Sequence, residues 1–293
     1  GCIMMSPGYR SNRPLMNLEN NSCRNAQRRS MCRTTMRVAV LSSGGKDSTY
    51  AIWWALMKGW DVSMIVTVRV DANDSMMFQI DGTAIAGAQA AASGIPWLPV
   101  LDSNEVGVDA LENSLRPFVY GSKWPRSSIW SNDDAQQAKW PKNWTCKKPI
   151  LARPTIPIQG IVTGALRSDY QRKRLDMMAN RLGIHSFSPL WHMPSLMHMN
   201  NLVDAGFDVR FTSVSADGID NTWLNRKLDH HALKDLLTLE SKYGINIDGE
   251  GGEFETTVLS SPWFDSLEWD IETNWNGQRG NVKILDVKNS GIK

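Results

Sequence analysis

The loop after the first apolar strand constrains this chain more than any other feature. Residues 38–48 read VAVLSSGGKDS, so a run typical of a buried strand leads into two adjacent glycines, and a helix-like segment follows. A glycine turn between a strand and a helix presents backbone N–H groups and the positive end of the helix to an anion. The loop therefore predicts a phosphate site at the edge of a parallel sheet.

Strand and helix patterns alternate from Arg37 onward. The predicted strands are 38–41, 62–68, 97–101 and 160–163, and the predicted helices are 46–58, 83–93, 104–118 and 168–182. Strands separated by such helices require right-handed crossovers, which indicates an α/β fold with a doubly wound, Rossmann-like parallel sheet. The fourth strand should then neighbour the first, which brings Gly164 beside the glycine loop.

A second region begins after Trp191. It shows strands at 209–214, 256–259 and 282–287, a helix at 230–243 and a glycine-rich acidic turn at 249–255. We therefore predict an α/β domain over residues 36–190 and a smaller C-terminal α+β domain over residues 191–293. Residues 1–35 precede them as a basic tail.

Residues 119–159 interrupt this order, because they are rich in tryptophan and proline and show no sustained period. A structureless loop of this length is uncommon inside a domain. We predict an insertion that packs its tryptophans against the fold.

Charge and cysteine content narrow the function classes. Residues 1–37 carry seven arginines against the single acid Glu19, so the total of +2 leaves the rest of the chain at about −4. A general nucleic-acid-binding surface is therefore not expected. The tail fits a disordered extension, or a start codon placed too early, in which case Met36 is the natural beginning; a nucleic-acid arm or a targeting segment are the alternatives.

The four cysteines form no CxxC pair, which indicates neither a zinc site nor a disulfide framework and favours a cytoplasmic protein. No apolar run approaches the roughly 20 residues of a membrane span.

Only one of three common phosphate-loop patterns fits. A Walker A loop would need glycine at Val40 and a hydroxyl at Asp47, and the GxGxxG pattern lacks its third glycine. The pattern SGGxDS matches at all six positions and resembles the pyrophosphate loop of the N-type ATP pyrophosphatases, also called the PP-loop superfamily. The resemblance implies ATP binding by Ser43, Gly44, Gly45, Lys46, Asp47 and Ser48, and we expect Gly164 to bind ATP beside them.

Two loop residues receive catalytic roles. Lys46 can neutralise charge on the leaving pyrophosphate. Asp47 would repel a polyphosphate unless a cation intervenes, which favours a Mg²⁺ ligand and a cap on the following helix.

Further stretches narrow the family. VAVLSSGGKDSTYAIWWAL, GALRSDYQRKR, the ending SPLW and GEGGEFET together closely resemble the archaeal-type diphthine-ammonia ligases, over roughly residues 36–264. The resemblance implies ATP-dependent amidation of diphthine, the modified histidine of translation elongation factor 2, through an acyl-adenylate. AMP and pyrophosphate are released, and free ammonium is the implied nitrogen donor because no glutaminase domain is attached.

The resemblance also implies the acceptor side of the site. Diphthine carries a carboxylate and a trimethylammonium group. Acidic side chains and aromatic faces bind the trimethylammonium cation. Trp223 and Phe254 are the candidate aromatic faces. The candidate substrate-binding residues are Ser168, Tyr170, Arg172, Glu250, Gly251, Gly252, Glu253 and Glu255. Neither nucleic acid nor membrane is an expected partner, and the oligomeric state stays open, a homodimer included.

The chain departs from the family pattern at two positions, and two rival functions stay open. The family has glycine where this chain has Asn225, and histidine where it has Gln79. One rival is a tRNA-modifying PP-loop enzyme, although the thiolating members use paired cysteines near the loop and Cys146 stands alone. The other rival is a module that binds ATP without turnover.

Overall fold

The structure is a computed structural model that describes residues 35–70, 80–102, 108–120, 138–154 and 157–290. Most of the predicted tail, Gln79, Trp124 and Trp130 lie outside the described residues. Residues Met36–Lys293 form one compact unit. None of the helices described in it has the length and apolar character needed to cross a membrane.

A five-stranded sheet forms the first half of this unit, and its parallel arrangement agrees with the prediction. Its strands are β1 (Arg37–Leu41), β2 (Asp61–Val70), β3 (Trp97–Asp102), β4 (Gly160–Val162) and β5 (His185–Phe187), in the order β3-β2-β1-β4-β5. Its helices are α1 (Lys46–Met57), α2 (Ile80–Ser93), α3 (Asp109–Tyr120) and α4 (Asp169–Leu182). Because β1 pairs with both β2 and β4, the loop after β1 lies at the switch point of the sheet, where ligands bind.

Helices cover both faces of this sheet, as the near-continuous apolar strands require. Val38 and Val40 point to the side of α1, where they pack with Ile52. Ala39 points to the opposite side and belongs to a core that includes Leu115 of α3 and Met178 of α4. The sheet is thus the middle layer of three.

A four-stranded antiparallel sheet forms the second half. After α5 (Ser195–Asp204) come β6 (Asp208–Val214), a 3₁₀ turn (Asn221–Trp223), α6 (His230–Tyr243), β7 (Phe254–Ser260), β8 (Leu267–Trp275) and β9 (Gly280–Asn289). The strand order is β7-β6-β9-β8. The sequence reading missed β5, α5 and β8, although the alternation Leu267, Trp269, Ile271 is a strand signal.

The two sheets share a core through α2. Ile85 and Ala88 of this helix are buried in the same cluster as Phe211 of β6 and Val258 of β7. The division at residues 190/191 stays a prediction, because the described chain packs as one compact unit across it.

The described part of the tryptophan-rich insertion packs between β3 and β9. The Trp140 ring lies 5.9 Å from that of Trp97 and 5.6 Å from that of Trp144. The Cys146 N–H donates to the Val287 carbonyl at 2.7 Å. Packing of Trp140 and Trp144 confirms the prediction for this part of the insertion.

Asn225, at the position where the resemblance implies glycine, has left-handed backbone, φ = +63°. Asparagine tolerates this region better than other residues with a Cβ, and glycine adopts it without cost. We expect Asn225→Gly to leave the free energy of unfolding unchanged or raise it, and Asn225→Ala to lower it by about 1 kcal/mol. Urea unfolding of both variants measures the difference, and equal stability of the two would contradict a conformational role for this position.

Candidate active site

The glycine loop connects β1 to α1 and is ordered by its own hydroxyls. The Ser42 Oγ accepts from the Gly44 N–H at 3.1 Å, and the Ser48 Oγ lies 3.1 Å from the Ser42 Oγ. Gly45 is the N-cap of α1, and this residue makes no side-chain hydrogen bond to the helix. The predicted capping role of Asp47 is therefore wrong, because its carboxylate bonds elsewhere.

Helix α2 and strand β7 hold this loop in place through hydrogen bonds. The amide of Gln89, which is fully buried on α2, donates to the carbonyls of Gly44 at 3.0 Å and Val258 at 2.8 Å. The Gly44 carbonyl also accepts from the Val258 N–H at 3.1 Å, and the Lys46 N–H donates to the Thr256 Oγ1 at 3.2 Å. The position of the loop therefore depends on β7 as well as on β1.

Gly164 approaches the start of α1 so closely that a side chain has no room. A Cβ at this position would lie 2.7 Å from both the Asp47 carbonyl carbon and the Ser48 nitrogen, which are backbone atoms. The close approach brings the end of β4 beside the loop, where its position in the sheet predicted it.

Three charged or titratable side chains meet at the start of α1. The Asp47 Oδ2 lies 2.8 Å from the Lys46 Nζ, and its Oδ1 lies 2.7 Å from the His198 Nε2 of α5. Burial raises the pKa of the Asp47 carboxyl, but the charge of Lys46 and the hydrogen bond with His198 oppose it, and the net pKa is below the usual value. Asp47 is therefore a carboxylate at neutral pH.

A cavity of about 730 Å³ opens next to this group, between the edges of the two sheets. Its lining includes apolar side chains of the parallel half, among them Val66, Val68 and Leu111. The acids Glu250 and Glu255 belong to the same lining. This combination suits a ligand with both an apolar face and a cationic group.

The acids of the cavity differ in their pKa. Burial, reinforced by the charge of Asp47, raises the pKa of Glu250, and burial raises that of Glu255. Asp248 is fully buried, yet its hydrogen bonds with Ser195 and Arg167 outweigh the effect of burial and lower its pKa. The Arg167 Nη1 contacts the Asp248 Oδ2 at 2.7 Å, which ties the acidic turn to the loop after β4.

The structure brings most of the predicted site residues to this cavity. Those that line it are Ser43, Gly45, Lys46, Asp47, Ser48, Gly164, Ser168, Tyr170, Glu250, Phe254 and Glu255. Ser168 also caps α4, as predicted, by accepting from the Gln171 N–H. The acidic turn and the glycine loop, far apart in sequence, thus share one cavity.

Other predicted residues lie outside its lining: Gly44, Arg172, Trp223, Gly251, Gly252 and Glu253. The Arg172 guanidinium stacks 4.3 Å from the centre of the Trp191 ring. Trp223 is buried against Phe211, with ring centroids 5.1 Å apart. The Glu253 carboxylate accepts from both the backbone N–H and the side-chain amide of Asn246, so it holds the acidic turn together from behind the cavity.

The side chains around Asp47 fit a Mg²⁺ ion only if a bound ligand supplies further oxygen atoms. Among the described residues, no group of three or more His, Cys, Asp and Glu side chains is arranged to hold a metal. Both Asp47 oxygens already have partners in Lys46 and His198. Magnesium bound by one or two carboxylates commonly takes its other ligands from water and substrate phosphates, and Asp47 fits that kind of site.

Sequence reasoning missed His198, Gln89 and Asp248. All three act through contacts with residues distant in sequence, the Gln89 bond to Val258 spanning 169 positions. Helix α5, which carries His198, was itself missed.

Comparisons with known proteins agree with the motifs. A model described as the diphthamide synthase N-terminal domain matches residues 36–118, and one described as the diphthamide synthase C-terminal domain matches residues 194–289. Together the two ranges cover more than half of the chain.

Curated relatives bear the name diphthine--ammonia ligase. The protein of Rattus norvegicus is 27% identical over 236 residues, which cover 78% of this chain and 80% of the relative. That of Danio rerio is 28% identical over 237 residues, covering 78% and 84%. That of Schizosaccharomyces pombe is 28% identical over 233 residues, but the match spans only 35% of its length. These relatives are eukaryotic, and the archaeal subtype stays a prediction.

Proposed function

The chain belongs to the diphthamide synthase family, and on that premise we propose that it joins ammonia to diphthine of translation elongation factor 2, using ATP. The observation that carries this proposal is the meeting of the SGGKDS loop with Glu250 and Glu255 in one cavity. This reaction needs two binding functions in one site. The loop is suited to a polyphosphate, and the acids are suited to a quaternary ammonium group. The proposal places the protein in the cytoplasm, where the factor acts.

The geometry supports two chemical steps. A carboxylate oxygen of diphthine attacks the α-phosphorus of ATP, the bond to the bridging α–β oxygen breaks, and pyrophosphate leaves. Ammonia then attacks the acyl carbon, its extra proton passes to solvent, and AMP leaves with the former carboxylate oxygen. The loop N–H groups and Lys46 would hold the departing pyrophosphate, since charge develops there. Mg²⁺, with Asp47 among its ligands, would neutralise phosphate charge.

Glu250 and Glu255 are the proposed contacts for the trimethylammonium group, with Phe254 as an aromatic face beside them. Phe254 is buried, and the centre of its ring lies 5.9 Å from the Lys46 Nζ, which places this aromatic face near the glycine loop. Ser168 and Tyr170 are proposed to contact the acceptor from α4. Gly251, Gly252 and Glu253 shape the acidic turn. Arg172 is proposed to bind the acceptor from the outer surface of α4.

The test measures AMP and pyrophosphate formation from Mg-ATP with diphthine-bearing elongation factor 2, with and without ammonium, and follows the mass of the factor. Ammonium-dependent conversion of the carboxylate to the amide supports the proposal. AMP formation without that mass change would point to another acceptor, such as a tRNA. Tight ATP binding without AMP formation would favour a non-catalytic nucleotide-binding module.

Glu255 offers a prediction that separates function from stability. Its pKa is raised by burial, so between the unfolded and folded pKa values the folded state binds more protons and stability falls as pH rises. Glu255→Gln removes this effect. We expect the variant to unfold at higher urea than the wild type at neutral pH, with the difference vanishing below the ordinary carboxyl pKa.

The same substitution should weaken acceptor binding. We expect the KM for the factor to rise about tenfold or more, because a desolvated charge pair contributes on the order of 1.5 kcal/mol or more. The matched control is Glu253→Gln, whose carboxylate bonds to Asn246 instead of lining the cavity. It should lower stability and change KM less. Unchanged KM in Glu255→Gln would remove Glu255 from the proposed acceptor site.

A further inference from the structure

A buried histidine holds the catalytic-loop aspartate from a different helix. The His198 ring is fully buried on α5, and its Nε2 lies 2.7 Å from the Asp47 Oδ1. The Tyr50 ring packs edge-on against it, with centroids 5.2 Å apart and an interplanar angle of 89°. The second ring nitrogen, Nδ1, is buried and has no hydrogen-bond partner among the described residues.

This environment does not explain a histidine on packing grounds. Burial of a polar nitrogen without a partner costs free energy, and an aliphatic side chain of similar size would fill the same space without that cost. The ring is turned so that its one hydrogen bond reaches Asp47. The contact with Asp47 is therefore the feature that distinguishes histidine from leucine at this position.

The loop itself leaves the Asp47 carboxylate in need of support. Asp47 lies in the first turn of α1, separated from the two glycines by Lys46 alone, and the N-cap residue Gly45 has no side chain to support this turn. Asp47 has two partners. Lys46 has a long side chain that must turn toward a phosphate to contact it, whereas the His198 ring is fully buried on α5. A turn of Lys46 toward phosphate would leave the contact of His198 with Oδ1 in place.

We infer that His198 is a positioning residue of this reaction: its Nε2–H donates to Asp47 Oδ1 and keeps the carboxylate aimed at the nucleotide site while Lys46 engages phosphate. The inference rests on the proposed function for its kinetic part. Its geometric part stands on the contacts of His198 alone.

Two variants separate positioning from packing. His198→Leu fills the space without a donor, and His198→Gln places an amide N–H near the same point. We expect His198→Leu to lower kcat roughly 10- to 100-fold, the usual effect of removing a group that orients a catalytic ligand. His198→Gln should lose clearly less activity than His198→Leu, because its amide N–H can still donate to Asp47. Met199→Leu, a buried neighbour on α5, is the repacking control and should leave kcat unchanged.

Thermal unfolding makes the distinction sharper. A packing role predicts that activity follows stability, so the apolar His198→Leu would equal or exceed His198→Gln in both. Positioning predicts the opposite order, with His198→Leu the more stable variant and the less active one. Equal activity of His198→Leu and the wild type would overturn the inference.

Nitrogen-15 NMR of the histidine rings tests the contact without any turnover. A proton on Nε2 of His198, with its shift altered in Asp47→Ala, supports the inference, and a bare Nε2 overturns it. Mg-ATP titration of the same samples separates the two proposals. If the wild type binds Mg-ATP but amidates nothing, while His198→Leu binds it several-fold more weakly, the proposed function fails and the positioning role survives.

Discussion

Replacing Asp47 by alanine is expected to lower amidation about 100-fold or more while the protein stays folded, on the scale that misplaced catalytic groups show. The carboxylate holds Lys46 through Oδ2 and is held by His198 through Oδ1, so its loss removes the proposed Mg²⁺ ligand and frees the lysine at once. Kinetics with saturating Mg-ATP and the diphthine-bearing factor measure the loss.

The stability effect of Asp47→Ala should be modest. Its main cost is the buried Nε2 of His198, which is left without an acceptor, and such a group costs about 1–3 kcal/mol. A folded domain of this size tolerates that loss. Urea unfolding checks it, and a collapse of the folded state would mean that the ion-paired group is chiefly structural.

Asp47→Asn is the matched control, because its amide oxygen still accepts from His198 while the negative charge is gone. If charge toward the metal is what matters, Asp47→Asn should be nearly as inactive as Asp47→Ala yet more stable. Wild-type activity in Asp47→Ala would remove the argument for a metal ligand at this position.

The loop and its surroundings show which parts of a site a sequence predicts. The strand, the glycine turn and the helix from Val38 to Met57 are local, so the apolar run and SGGKDS predict their structure and their place at the switch point of the sheet. Gly164 was predictable as well, because the order of strands in a doubly wound sheet brings the end of β4 to β1.

The residues that hold the loop in place have no comparable signal in the sequence. Gln89 lies in an alanine-rich helix and His198 in a helix without a motif, and each acts through a contact that only the packing of the two halves creates. Glu253 shows the converse. Its motif predicts ligand binding, but its carboxylate bonds to Asn246 in the turn between α6 and β7. Glu255, two residues later, lines the cavity instead.

Gly44→Ala is expected to abolish measurable Mg-ATP binding. Gly44 has φ = +87°, and an added Cβ would lie 2.3 Å from the Ile85 Cγ2 and 3.2 Å from the Ala86 nitrogen. The methyl group of Ile85 belongs to the core shared by the two sheets, so it cannot move freely. The loop would have to move instead, breaking the bonds from Gln89 and Val258 to the Gly44 carbonyl.

The control for Gly44→Ala separates this clash from backbone strain. Gly183 ends α4 at φ = +70°, but nothing lies within 4 Å of a Cβ added there. Gly183→Ala should therefore lower the free energy of unfolding by roughly 1 kcal/mol and leave Mg-ATP affinity unchanged. Gly44→Ala carries the same strain plus overpacking of about 1–3 kcal/mol. Isothermal titration with Mg-ATP compares the two, and normal affinity in Gly44→Ala would mean that the phosphates do not depend on the shape of this loop.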